Sequence, residues 1–168
     1  GQLQPATGRC VRSGSVFYLA QQVTPAAEAC VASLAGVQDA LDALARIEAG
    51  SIATEDFNVL GDRWDIGQRL RQELERNGLG HLDAATPASA LSGGEAMRVA
   101  LIGAWLSEAD FLILDEPSNH LDRAGRQALI EQLRRWPRGL IVVSHDRQLL
   151  ASMARIAELS ALGLRSYG

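Results

Sequence analysis

The stretch FLILDEPSNHLDRAGRQALIEQLRRWPRGLIVVSHD, residues 111–146, decides the fold. Phe111-Leu112-Ile113-Leu114 and Leu140-Ile141-Val142-Val143 are continuous apolar runs, and each ends in polar residues: Asp115-Glu116-Pro117 and Ser144-His145-Asp146. Strands without polar alternation usually belong to a sheet buried on both faces, as parallel sheets are. Between the two runs, Arg123 to Arg135 has helix-forming composition and the length of a crossover. The stretch therefore predicts a βαβ unit with polar groups at the carboxyl ends of both strands. In open α/β sheets that edge is where ligands bind.

Upstream, Ala96 to Leu106 is apolar almost all round, which predicts a helix buried on several sides. Val16-Phe17-Tyr18-Leu19, after the Gly14 turn signal, reads as a further strand. Thr24-Pro25 has the form of an N-cap followed by a first-turn proline, which predicts a helix over Ala26 to Leu34. A second helix is predicted over Val37 to Ala49, where Val37, Leu41, Leu44 and Ile47 keep helical spacing and Gly50 stops the run. A third spans Asp65 to Asn77. There Asp65 and Gln68 have capping-box spacing, Ile66, Leu70 and Leu74 share a face, and Arg69–Glu73 and Arg71–Glu75 are candidate i,i+4 pairs before Gly78. The first half thus reads as amphipathic helices and the second as α/β.

Composition narrows the chemistry. The chain has 168 residues, enough for one domain burying roughly two-thirds of the surface its unfolded form exposes. All 16 basic residues are arginine. This excludes, within these residues, a Schiff-base lysine, a lysine base and the Lys of a phosphate-cradling loop. A net charge of −4 argues against a surface that binds nucleic acid throughout. Cys10 and Cys30 have no metal-ligand spacing and read as reduced residues of a cytoplasmic protein. No apolar run is long enough to span a bilayer. The chain opens at Gly1 without Met and runs into Gln2-Leu3-Gln4-Pro5, as a piece of a longer protein would.

Three clusters carry candidate chemistry, and each has a plain structural reading beside a functional one. Ser92 and Glu95 form an [ST]-x-x-[DE] capping box. Gly93 and Gly94 within that first turn cost helix stability, yet they would let backbone N–H groups approach a phosphate closely. Asp115 and Glu116 could be turn carboxylates. Two adjacent acids leaving a buried strand are nonetheless costly unless a cation or proton shares the site, and Mg2+ with a water is the economical partner. His145, at the other strand end, could be structural or catalytic.

Taken in order, Gln21 after a strand, LSGGE at 91–95, FLILDEP at 111–117, SNHLD at 118–122 and IVVSHD at 141–146 resemble the ATP-binding cassette (ABC) ATPases over nearly the whole chain. The resemblance implies an α/β fold: a partial RecA-like P-loop NTPase core carrying an inserted α-helical subdomain. Its parts would be 1–21 as core strand to Q-loop, 22–106 as helical subdomain with the signature motif, and 107–168 as core with Walker B, D-loop and switch histidine. By similarity, Asp115 holds Mg2+ through water, Glu116 orients and deprotonates the attacking water, His145 contacts the γ-phosphate, and Gln21 senses metal and nucleophile. Ser92, Gly93, Gly94 and Glu95 would clasp ATP bound on a second ABC domain, in the same chain or a dimer. Asn119 and Asp122 would lie in the loop crossing that interface. ATP and Mg2+ are the implied cofactors.

The family's G-x-x-x-x-G-K-[ST] loop does not occur here. In the family it precedes the segment matching Gln2 to Val16. The chain is therefore expected to be a fragment without that loop, its strand and helix, and the adenine-stacking aromatic; a naturally degenerate cassette is the alternative. Without the P-loop strand, the isolated chain is expected to self-associate or rearrange at the sheet, and to hydrolyse no ATP. Asn119-His120-Leu121-Asp122, Asp62-Arg63-Trp64-Asp65 and Glu158-Leu159-Ser160 with Gly163 to Tyr167 resemble the ABC-F group, soluble two-cassette proteins that generally act on the ribosome. Ser118, where Thr is commoner, and Glu95, where transporters often have Gln, depart from the pattern. A transporter ATPase docked to a membrane permease is the rival reading. An SMC-type ATPase would need a coiled-coil insert for which the residues before the signature leave no room. Arg123, Arg126 and Arg134, with Arg135 and Arg138 nearby, could meet RNA but read first as a solvated helix face.

Overall fold

The computed structural model describes residues 8, 9, 11, 13–160 and 163–167; Gly1 to Pro5 and Cys10 lie outside them. The elements run β1 (Val16–Leu19), α1 (Val31–Leu34), α2 (Gln38–Glu48), α3 (Thr54–Leu60), α4 (Ile66–Arg76), α5 (Gly93–Leu106), β2 (Phe111–Asp115), α6 (Arg123–Arg135), β3 (Gly139–Val143), α7 (Arg147–Leu150), β4 (Ile156–Ser160) and β5 (Gly163–Tyr167). Strands β1, β2 and β3 form a parallel sheet in that order, with Tyr18 opposite Ile113 and Ile113 opposite Ile141. Strands β4 and β5 pair as a separate antiparallel hairpin, which the sequence patterning did not reveal.

One residue sets the start of all three parallel strands. The Asp110 carboxylate accepts the Ser15 backbone N–H at 2.8 Å and its hydroxyl at 2.9 Å, while the Asp110 carbonyl accepts Gly139 N–H at 3.1 Å. Ser15's backbone N–H, then its hydroxyl, hold the Asp110 carboxyl below the usual aspartate range.

Side chains alternate across the sheet, and the described residues cover only one face. Leu112 and Leu114 of β2 are fully buried in a cluster with Phe17, Leu19, Leu140 and Val142, packed against α5, α6 and Leu149. On the other face Tyr18, Ile141 and Val143 are exposed. The expectation of burial on both faces is therefore corrected. The helices that cover the sheet among the described residues all join the same cluster, on the same side, so the outward residues are apolar yet open to solvent.

Helix α5 fits its all-round apolar sequence. Met97, Ala100, Leu101 and Ala104 face the sheet cluster, while Val99, Ile102 and Leu106 face a second cluster with Val31, Val37, Ile66, Leu70 and Leu74. Each fully buried Leu, Ile or Met contributes about 1.5–3 kcal/mol. The approach of α5 to α1 is so close that a Cβ on Gly103 would lie 2.7 Å from the Ala35 carbonyl oxygen.

Several local expectations change. The first helix begins at Val31, not Ala26, because the chain before it is drawn into a bridge between Cys30 and Pro87, with Val31 N–H bonded to the Thr86 carbonyl at 2.9 Å. Helix α3 is additional. Its buried Asp56 is held by Arg46 of α2 at 2.7 Å and by Ser51 at 2.7 Å. Asp65 is the N-cap residue of α4 but makes no side-chain cap. Arg69 reaches Glu108 at 2.6 Å and Glu73 holds Arg76 at 2.6 Å, in place of an Arg69–Glu73 pair. Cys30 is a free thiol bonded to Gln38.

Two tests follow from this packing. Gly103→Ala should destabilise the domain by about 1–3 kcal/mol through overpacking, although Ala is the better helix former; thermal unfolding would show the loss. The Asp110 carboxyl sits below its unfolded value, so its contribution is present above about pH 4 and is lost as pH falls through the folded value. Urea midpoints should drop as pH falls below about 4, and drop less in Asp110→Asn.

Candidate active site

The chain turns sharply where β2 ends. Asp115 is its last residue, opposite Val143, and Glu116 follows in the left-handed region at φ 47°. That conformation is uncommon and strained for a residue with a Cβ. It is held by Glu116 N–H to the Val143 carbonyl at 2.8 Å, which adds one more link between β2 and β3. The turn continues with Asn119 N–H on the Glu116 carbonyl at 3.1 Å.

Glu116 is buried, with 8% of its surface exposed. Its Oε2 receives the Ser144 hydroxyl at 3.3 Å and His145 N–H at 3.4 Å. Among the described residues, its buried Oε1 receives no hydrogen bond; His145 Nε2 stands 3.6 Å away, beyond hydrogen-bond range. A buried carboxylate oxygen without a donor is costly, and a water or a hydrated cation is what fits it. The His145 side chain is 98% exposed, leaving its imidazole free at the mouth of the site. Asp146 caps α7 through Gln148 and Leu149 N–H, which fixes the backbone just after His145. Ser144 was not singled out as a site residue. Its adjacency to His145 at a strand end was the available signal.

The other predicted residues fall around this group. Gln21 lies just beyond β1, exposed. No cluster of three or more His, Cys, Asp or Glu capable of holding a metal occurs among the described residues, so Asp115 and Glu116 fit only one side of a Mg2+ site. Asp122 caps α6 by accepting Gly125 N–H at 2.7 Å.

Ser92 to Glu95 form a second cluster at the start of α5. The capping box is complete: Glu95 N–H bonds Ser92 Oγ at 3.3 Å, and Glu95 Oε2 accepts Ser92 N–H at 2.8 Å and its hydroxyl at 2.7 Å. His81, which sequence reasoning missed, contacts Glu95 Oε1 through Nε2 at 3.1 Å. The two glycines differ. A Cβ on Gly94 would lie 2.8 Å from the carbonyl oxygen of His120, itself at φ 65°, so this cluster packs on the loop that leaves Glu116. A Cβ on Gly93 would meet nothing within 4 Å.

Comparison with known proteins shows the family. The protein-family model described as ABC transporter matches residues 2–119. The chain belongs to the ABC transporter family. Among curated relatives, YdiF of Bacillus subtilis is 39% identical over 120 residues, covering 68% of this chain and 19% of the relative. The energy-dependent translational throttle protein EttA of Mycobacterium tuberculosis is 42% identical over 93 residues, 55% of this chain and 16% of the relative. An ABC transporter F family member of Arabidopsis thaliana is also matched, and this ABC domain is most like that F group. The dimeric structure of an ATP-binding cassette in a post-hydrolysis state, bound to ADP and Pi, superposes with a TM-score of 0.61 at 19% identity, over 85% of this chain and 57% of that one. The fold is thus a partial RecA-like core of ABC type. The chain spans less than a fifth of the length of these curated relatives.

The two glycines of the ABC signature segment give a direct test. Gly93→Ala should leave stability unchanged or raise it by about 0.4–1 kcal/mol, since the unfolded chain loses freedom and nothing is crowded. Gly94→Ala should lower it by about 1–3 kcal/mol as the His120 loop is pushed back. Thermal melts of the two variants side by side should show a lower midpoint for Gly94→Ala and no loss for Gly93→Ala.

Proposed function

We propose that this chain supplies the catalytic carboxylate and the signature segment of an F-group ABC ATPase, which hydrolyses ATP between paired cassettes and acts on the ribosome. The observation that carries the reading is Glu116: one carboxylate oxygen held by Ser144 and His145 N–H, the other buried and without a donor beside Asp115. A base fixed in this way presents a lone pair to a water and accepts its proton as the water attacks. His145, free of packing, is placed to meet a terminal phosphate. Asp115 and Gln21 are the residues that would hold Mg2+ through water; when bound, the ion neutralises charge developing on the phosphates.

The signature segment fits a ligand that arrives from outside this chain. A Cβ on Gly93 would meet nothing within 4 Å among the described residues, so packing gives no steric reason for glycine there. It opens the 14-residue helix α5, whose first N–H groups and dipole favour an anion. In this reading Ser92, Gly93 and Gly94 clasp the phosphate of ATP carried by a second ABC domain, with Asn119 and Asp122 near the joint. These residues contain no lysine and no phosphate-cradling loop. Turnover therefore requires a phosphate loop supplied by residues outside this sequence, and the 168-residue chain alone hydrolyses no ATP.

The ribosomal role is supported by relatives whose names place them in translation. Exposed Arg123, Arg134 and Arg135 on α6 suit a polyanion. Arg138 instead bonds the Glu108 carbonyl and stacks on Trp136, and Arg126 stands 4.0 Å from Asp146. No helix among the described residues is long and apolar enough to cross a membrane, and the proposed place of action is the cytoplasm.

In the full-length protein, Glu116→Gln should lower kcat at least about 100-fold, the size of a general-base contribution, while ATP still binds. Retention of the wild-type rate would overturn the assignment. Stimulation of turnover by ribosomes supports the F-group role. Stimulation only by a membrane permease would move the protein to the transporter reading.

A further inference from the structure

The cluster at the start of α5 contains more than a capping box. Ser92 has a single hydroxyl proton, and it is donated to Glu95 Oε2 at 2.7 Å. The same oxygen accepts Ser92 N–H at 2.8 Å. Both donations, with His81 adding to them, hold the Glu95 carboxyl below its usual range, so it is anionic at neutral pH. As it stands, the start of the helix presents a negative charge and a serine whose proton is already used. An anion approaching this turn needs the opposite: a hydroxyl free to donate and a carboxylate that is screened.

His81 meets that need. It lies in the segment between α4 and α5, 14 residues before Glu95, and its Nε2 reaches Glu95 Oε1, the oxygen that Ser92 does not use. An imidazole donates from Nε2 to a carboxylate as the neutral tautomer or as the cation. With Oε1 held by His81, Glu95 keeps its place when the Ser92 hydroxyl turns away, and part of its charge is offset where a phosphate would arrive. Resting on the reading of Ser92 as a phosphate clasp, we infer that His81 is a positioning residue for the signature segment: it anchors Glu95 so that Ser92 is released to a partner cassette's nucleotide. The inference concerns affinity for the incoming phosphate, not the proton transfer at Glu116, so its signature is a split between KM and kcat.

The test uses the full-length protein, with ATP as the probe. His81 has an exposed side chain, so its variants should fold, which circular dichroism checks. His81→Ala should raise the KM for ATP about two- to fivefold, the range expected for losing one exposed hydrogen bond to a carboxylate, with kcat at saturation changed less than about twofold. His81→Gln, which keeps a donor, should return KM to within about twofold of wild type. In a Glu95→Gln background the effect of His81→Ala should shrink to nothing, because the pair acts as a unit. A second measurement needs no turnover: amide hydrogen exchange at Ser92 and Glu95 should quicken in His81→Ala and recover in His81→Gln.

An unchanged KM and unchanged exchange in His81→Ala would overturn the inference. So would an effect that persists in full with Glu95→Gln, or one that His81→Gln fails to repair. If Ser92→Ala raises KM while His81→Ala leaves both KM and exchange at the wild-type values, only this inference fails. If Ser92→Ala leaves KM and turnover unchanged, the reading of Ser92 as a phosphate clasp fails, and the inference falls with it.

Discussion

Helix α5 has no polar face to give to water, and most of the architecture follows from finding it two apolar partners. The sheet and α6 cover one side; α1, α2 and α4 cover the other. A helix of ordinary amphipathicity would pack on a single core and leave the helical layer to pack elsewhere. Because both clusters are built on one helix, the position of its first turn is fixed from two directions. That first turn carries Ser92 to Glu95. The apolar residues that stabilise the domain are also the ones that aim the Ser92–Glu95 turn.

The second fixed point is the bend after β2. Left-handed backbone at a non-glycine residue costs on the order of 1–3 kcal/mol and persists only where its surroundings over-determine it. At Glu116 that role falls to the Val143 carbonyl, Ser144 and the His145 amide, all from the end of β3. The carboxylate therefore depends on the register of a strand 28 residues away in sequence. His120, also left-handed, brings its carbonyl against Gly94, so the loop leaving Glu116 ends on the start of α5. The two clusters are distinct in chemistry but joined by one short loop.

How much of this was legible depended on whether the determinant was local. The three parallel strands and α5 could be read because their apolar runs need no knowledge of neighbours. The partial ABC-type core was legible through the order of its motifs. The helix expected from Ala26 begins only at Val31: the Thr24-Pro25 signal is a local preference, and pairing of Cys30 with Pro87, far along the chain, overrides it. Helix α3 was invisible because Leu60 is its one buried apolar residue; the other buried residue is an acid, Asp56, whose partner Arg46 lies on another helix, while Phe57 and Val59 are exposed. The exposed outer sheet face could not be foreseen, since an apolar run looks the same whether or not something covers it. In the site, Asp115, Glu116 and His145 announced themselves at strand ends. Ser144's bond to Glu116 and His81's contact with Glu95 are products of folding alone.

The pairing of β1 with β2 joins Ser15 to Asp110, residues 95 positions apart, with all of α1 to α5 between them. Closing so long a loop before any contact repays it is entropically unfavourable, and sheets built from distant segments form slowly. Pairing of β2 with β3, across the single helix α6, is the far more local event. The order of assembly should follow this difference. The β2–α6–β3 unit and the layer of short helices are suited to form early, and β1 docks only once α5 has drawn its two sides together. A chain emerging from synthesis would thus hold β1 without its partner β2 until α5 and β2 have been made.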